Sequence, residues 1–192
     1  MSAWIKMLSN QEASENLTNL FNLVKTPHGT VDNVMRIHSL RPNTMKGHYT
    51  LYNSVLHDEE NCIPTWLQET ISSYVSILNN CEYSFANHWK NAEYLINDKK
   101  KSNLILKALE KKKLKSFFSG KELALLNYAE KLTLAPKEMV KSDVENLKNL
   151  GLNDGEILEA NQIICYFNYV NRTINGLGVT TKGDTVGYYN ST

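Results

Sequence analysis

The sequence predicts an all-α chain, and three observations carry that prediction. Glycine and proline are sparse, 9 and 4 among 192 residues, so the stretches between breaks are long. An all-β chain would need a turn signal roughly every 8–12 residues. Apolar residues recur at i, i+3 and i+4 along most of those stretches. Finally, Ser119-Gly-Lys-Glu122, Ser142-Asp-Val-Glu145 and Asn153-Asp-Gly-Glu156 each place a side-chain oxygen three residues before a glutamate. That is the spacing of a capping box, which opens a helix.

Taken in order, the run from Gln11 to Val24 puts Leu17, Leu20, Phe21 and Val24 on one helical face, and Pro27-His28-Gly29 breaks it. A short segment with Val31, Val34, Met35 and Ile37 ends before Pro42, whose ring suits a first helical turn. Met45, His48, Leu51, Tyr52 and Val55 continue as a stripe until the polar run His57 to Asn61. Pro64 opens a helix with Leu67, Ile71, Tyr74, Val75 and Leu78 as its apolar positions. Asn79-Asn80-Cys81 reads as a tight connection into a helix from Tyr83 to Ile96. The three capped helices follow, separated by Pro136 and Gly151, and the last stops near Gly176 and Gly178. The polar tail, about residues 180–192, is expected either to hang loose or to dock on a neighbouring surface.

Length and composition suit a single domain over residues 1–192: 21.9 kDa, 42% hydrophobic and 21% charged. Lys+Arg 21 against Asp+Glu 20 leaves a net charge of +1, too balanced for a nucleic-acid partner. The clusters Lys99–Lys101 and Lys111–Lys115 read as solvated helix ends. Mean hydropathy is −0.40, with no apolar run of bilayer-spanning length, so no membrane span is expected. The N-terminus shows no signal peptide pattern, and a cytoplasmic location is expected. Three cysteines, Cys62, Cys81 and Cys165, are too few for a disulfide-stapled secreted domain. Cys165, among Ile163, Ile164, Tyr166 and Phe167, is expected to be buried and structural, and Cys62 incidental. No phosphate loop, dinucleotide fingerprint or zinc motif is present, so no cofactor or metal is expected.

The segment from Cys81 to His88 carries the candidate chemistry. On a helix, Cys81, Ser84 and His88 share one face. A helix N-terminus favours negative charge, which is expected to lower the Cys81 pKa toward the thiolate. An imidazole further along can serve as general base. If the two flanking helices form an antiparallel hairpin, Glu69 meets His88 across it and fixes the imidazole tautomer. Each piece also has a plain reading: a buried small thiol, a capping hydroxyl, a solvated glutamate.

Glu69, eleven residues, then Cys81-x-x-Ser84-x-x-x-His88 resembles the signature of the carboxymuconolactone decarboxylase/AhpD superfamily, whose redox members carry Glu, eleven residues and Cys-x-x-Cys-x-x-x-His. Val34-Met-Arg-Ile-His-Ser-Leu-Arg-Pro42 ahead of it resembles the peroxidase-related, alkylhydroperoxidase-like branch. So do Leu126–Thr133, Asp143–Gly151 and Ile157–Leu177 beyond it. The resemblance implies an AhpD-like helical bundle, a homo-oligomer (trimer or hexamer), and thiol-dependent reduction of a peroxide substrate by an external dithiol or lipoyl-type reductant. In that cycle the cysteine nearer the histidine attacks the peroxide, and its sulfenic acid condenses with the first cysteine. Cys81 matches the resolving cysteine, and Glu69 and His88 match the proton relay.

The peroxide-attacking position is Ser84, and a hydroxyl forms neither sulfenic acid nor disulfide. Three accounts of the serine compete: an engineered substitution, a natural site working through Cys81 alone, or a scaffold that has lost its redox chemistry. The functional expectation is an antioxidant peroxidase, with the chain as it stands inactive or trapped. The alternatives are a cofactor-independent decarboxylase-type acid–base enzyme and a non-catalytic helical binding oligomer.

Overall fold

The computed structural model describes residues 2–189, and every regular element among them is helical. Nine α-helices follow in order: α1 (Glu15–Leu23), α2 (Asn33–Arg36), α3 (Pro42–Leu56), α4 (Thr65–Leu78), α5 (Glu82–Ile96), α6 (Lys99–Glu110), α7 (Gly120–Leu134), α8 (Lys141–Asn149) and α9 (Asp154–Leu177). Short 3₁₀ turns lie at Leu114–Ser116 and Pro136–Glu138. No helix among the described residues is long and apolar enough to cross a membrane.

The centre is α4, packed against α5, α7 and α9. It is buried nearly all round, although Gln68, Glu69, Thr70, Ser72, Ser73 and Ser76 are polar. The hydroxyls are satisfied within the helix. Thr70 donates to the Trp66 carbonyl, Ser72 to Gln68 and Ser73 to Glu69, each at 2.7 Å, and Ser76 to Ser72 at 2.8 Å. Such back-bonding removes the desolvation cost of a buried hydroxyl. Small side chains then let three helices approach α4 closely, and its one buried carboxylate becomes a special position.

The α4–α5 hairpin turns at Asn80, whose φ of 51° lies in the left-handed region that asparagine tolerates. The Cys81 amide closes the turn on the Ser76 carbonyl at 2.9 Å. At the other end of the chain, α9 stops at Gly178 (φ 60°), where a Cβ would sit 2.2 Å from the Trp4 ring. Only glycine meets both demands.

The capping expectations divide. Asn153 and Glu156 form the predicted reciprocal pair at α9, at 3.0 and 2.7 Å. Ser142 does not cap α8. The helix begins at Lys141, and the Val140 amide donates to Asp143 at 2.8 Å, a carboxylate also held by Lys131 at 2.7 Å. Ser119 makes no capping bond, and Gly120 after it takes a φ of 52°. Helix α1 starts at Glu15 rather than Gln11, with the Ser14 hydroxyl accepting from the Leu17 amide at 3.4 Å.

The tail docks, as far as it is described. Asp184 accepts from the Tyr83 hydroxyl at 2.6 Å and from the Asn33 amide at 3.0 Å. The Gly187 amide donates to Asn87 at 3.1 Å and the Tyr188 amide to Asn91 at 2.6 Å. Residues 180–189 are thus held against the chain's own helices, and 190–192 lie outside the described residues. The segment runs beside α5, the helix that carries the candidate site.

Candidate active site

Glu69 lies in the second turn of α4 and is 2% exposed. Its Oε2 accepts from His88 Nδ1 of α5 at 2.6 Å, and its Oε1 accepts from Asn91 Nδ2 at 3.1 Å. A carboxylate can only accept here, so Nδ1 carries the imidazole proton and Nε2 is left as the basic nitrogen. The His88 ring stands edge-on to Phe167 of α9, centroids 4.5 Å apart. Two hydrogen bonds and an aromatic wall thus fix the carboxylate–imidazole pair that the spacing predicted.

Ser84, one turn before His88, is 2% exposed. Its hydroxyl lies 3.0 Å from that of Ser76, which Asn171 also approaches at 3.4 Å. Among the described residues, no hydrogen bond joins Ser84 or Cys81 to His88. The shared helical face holds two separate pairs, Ser76–Ser84 and Glu69–His88, rather than one thiol–hydroxyl–imidazole line.

Cys81 corrects the expectation of a lowered pKa. It caps the N-terminus of α5 and the Ser84 amide does favour its thiolate, but the residue is 1% exposed. Burial outweighs the amide, and the nearby Glu82 carboxylate adds to it, so the thiol is pushed up to about 11. At neutral pH Cys81 is a thiol, not a thiolate.

Cys165 corrects a second expectation. Ile163, Ile164 and Phe167 face the core, while Cys165 is exposed on the outer face of α9. It sits one turn after Asn161, and its thiol donates to the Asn161 side-chain oxygen Oδ1 at 3.5 Å. Cys62 is exposed as well. Brief alkylation of the native protein at mildly alkaline pH, followed by peptide mass spectrometry, is expected to label Cys62 and Cys165. Cys81 is expected to be labelled only after denaturation.

A cavity of about 110 Å³ opens beside the pair. Tyr49, Tyr52, Tyr83, Tyr166 and Tyr188 wall it together with Val34, Met35, Val170 and Ile174. Ser84, Asn87, His88 and Asn91 of α5 supply polar groups, as do Lys25, Thr26, Asp32 and Asn53, while Cys81 and Glu69 are not on the wall. The cavity lies where the small apolar cluster around Leu17, Phe21 and Met35 meets the main core. No group of His, Cys, Asp and Glu among the described residues could hold a metal ion.

The sequence matches no protein-family model and none of the curated proteins. Solved structures do match. An uncharacterized peroxidase-related protein from Ralstonia eutropha JMP134, described as an alkylhydroperoxidase AhpD core, superposes with a TM-score of 0.81. It shares 18% identity, over 96% of this chain and 94% of that one. The chain has the AhpD-like fold. A second peroxidase-related protein with this fold, from Silicibacter sp. TM1040, gives 0.80 at 19% identity, over 99% and 95% of the two chains. A cysteine-to-alanine variant of the debrominase Bmp8, in complex with 2,3,4-tribromopyrrole, gives 0.75 at 18% identity, over 95% and 94%.

Within this AhpD-like bundle, sequence reasoning missed Asn91, although its position three residues after His88 puts it on the same face. It also missed Ser76 and the tyrosine wall, which gathers residues from four separate stretches. Tyr52 lines the cavity, whereas His48 of the same stripe lies behind it, 3% exposed.

Proposed function

We propose that this protein is an enzyme that moves protons on a small, largely apolar molecule bound in the tyrosine-walled cavity, with His88 as the transferring group and Glu69 as its anchor. The observation that carries this reading is the Glu69–His88 pair, 2.6 Å apart, with its imidazole on a cavity wall that holds no thiol. In the resting site Nε2 takes a proton from an acidic carbon of the substrate, one beside a carbonyl or in an electron-poor ring. The imidazolium so formed is balanced by Glu69, and the proton returns at another atom, as isomerisation requires. The fold's capacity for small rings is supported by the debrominase, which binds a halogenated pyrrole.

A second reading, peroxide reduction in antioxidant defence, is favoured by the frame Glu69, Cys81, Ser84 and His88. In this chain it would fall to Cys81 alone, a single thiol behind the wall, recharged by an external dithiol or lipoyl-type reductant.

The two readings separate in one experiment. Lactones, 2-keto acids and halogenated pyrroles are incubated in heavy water without thiol, and deuterium incorporation is followed by NMR. Exchange is expected for at least one class, unchanged in Cys81→Ser and reduced about 10²–10⁴-fold in His88→Asn. Loss of exchange in Cys81→Ser with retention in His88→Asn would overturn the acid–base reading.

A further inference from the structure

Behind the cavity runs a second line of polar groups that the Glu69–His88 chemistry does not use. Tyr166 of α9, on the cavity wall, has its hydroxyl 2.8 Å from His48 Nε2. His48 Nδ1 is 3.0 Å from His38 Nε2, and His38 Nδ1 is 2.8 Å from the Thr44 hydroxyl. Thr44 in turn donates to the Arg41 carbonyl at 2.8 Å. Tyr166, His48 and His38 are 5%, 3% and 9% exposed, whereas Thr44 is on the surface.

Donor counting fixes the direction of every bond. Thr44 has one proton and gives it to Arg41, so it must accept from His38 Nδ1–H. Burial disfavours the charged form of both rings, pulling His48 down to about 3 and lowering His38 as well, so each carries one proton. His38 Nε2 is therefore bare and accepts from His48 Nδ1–H. His48 Nε2 is bare in turn and accepts the Tyr166 O–H. The chain is polarised one way, from cavity to solvent.

We propose that Tyr166, His48, His38 and Thr44 form a proton path between the cavity and bulk water, with Tyr166 as its inner terminus. A donor bound in the cavity passes a proton to the Tyr166 oxygen, which releases its own to His48 Nε2. His48 gives its Nδ1 proton to His38 Nε2, His38 gives its Nδ1 proton to Thr44, and Thr44 releases its hydroxyl proton to water. One proton leaves, no electrons move, and both rings end neutral as the Nε2–H tautomers. The reverse passage resets the path. Of the groups on the cavity wall, His88 thereby transfers and returns a proton, and Tyr166 connects to solvent. The path's use in turnover rests on the acid–base reading above; its existence does not.

Two measurements test it separately. In the full-length protein labelled with ¹⁵N-histidine, the His38 and His48 rings are expected to be neutral and protonated on Nδ1 near pH 7. A ring protonated on Nε2, or a cationic ring, would overturn the path whatever the protein catalyses. With any substrate that exchanges in heavy water, Tyr166→Phe and Thr44→Val are each expected to lower kcat about tenfold or more, with KM within about twofold and a larger solvent isotope effect. Thr44→Ser restores the rate. A purely structural network would leave kcat untouched in Thr44→Val, since that side chain is exposed, and that result would also overturn the proposal. Absence of any exchange in the wild type would sink the acid–base reading while the ring tautomers still decide the path.

Discussion

Ser84→Cys is expected to give the chain dithiol-dependent peroxide consumption about a hundredfold or more above its own level. Residues 84 and 81 sit differently toward the cavity. Residue 84 is on the cavity wall with His88 one turn on, so a thiol there can meet a peroxide and a base together. Residue 81 is behind the wall, with its own thiol held protonated by burial. The wild type lacks an accessible thiol at the cavity, and one oxygen-to-sulfur exchange supplies it. A sulfenic acid at residue 84 would then find Cys81 three residues earlier at the helix cap, ready to close the disulfide. Coupled oxidation of a dithiol with hydrogen peroxide and with an alkyl hydroperoxide measures the gain. Thiol labelling before and after peroxide measures the disulfide. If Ser84→Cys stays at the wild-type level with every dithiol tried, the peroxide reading fails and the acid–base reading is left to stand on its own evidence.

The fold was legible because its signals are local. Sparse glycine, helical periodicity, and Pro42 and Gly178 at helix ends each act within a few residues, and α3, α4, α5 and α9 lie close to where those signals put them. The Glu69–His88 contact was legible for the same reason, since a hairpin turning at Asn80 relates positions by counting turns. Burial was the illegible quantity. Cys81 was read from its place at a helix N-terminus, a local effect, but its pKa is set by the desolvation imposed by surrounding helices. Cys165 has apolar chain neighbours yet points outward, because periodicity assigns a residue to a face without saying which face a neighbouring helix covers. The path from Tyr166 to Thr44 joins residues 118 apart in sequence at its inner step. No spacing rule reaches that far, and donor counting needs the distances first.

His88→Ala is expected to destabilise the fold by about 3–5 kcal/mol, more than Glu69→Gln at about 1–2 kcal/mol. The asymmetry follows from which partner is left behind. Glu69 is 2% exposed, and its charge is held by the imidazole at 2.6 Å and the Asn91 amide at 3.1 Å. Without the imidazole, a carboxylate faces the interior with one neutral donor, and water cannot make up the loss. Glu69→Gln removes the charge itself and keeps a polar amide of nearly the same shape, so the remaining imidazole, nearer the cavity, loses only its orientation. The double substitution should therefore cost less than His88→Ala alone, because the stranded charge is gone and only the packing on Phe167 is lost. Urea unfolding of the four proteins at neutral pH measures the cycle. Equal single costs, or a double cost equal to their sum, would mean that the pair is held by packing rather than charge, and His88 would then lack the counter-ion that makes its protonated state accessible during turnover.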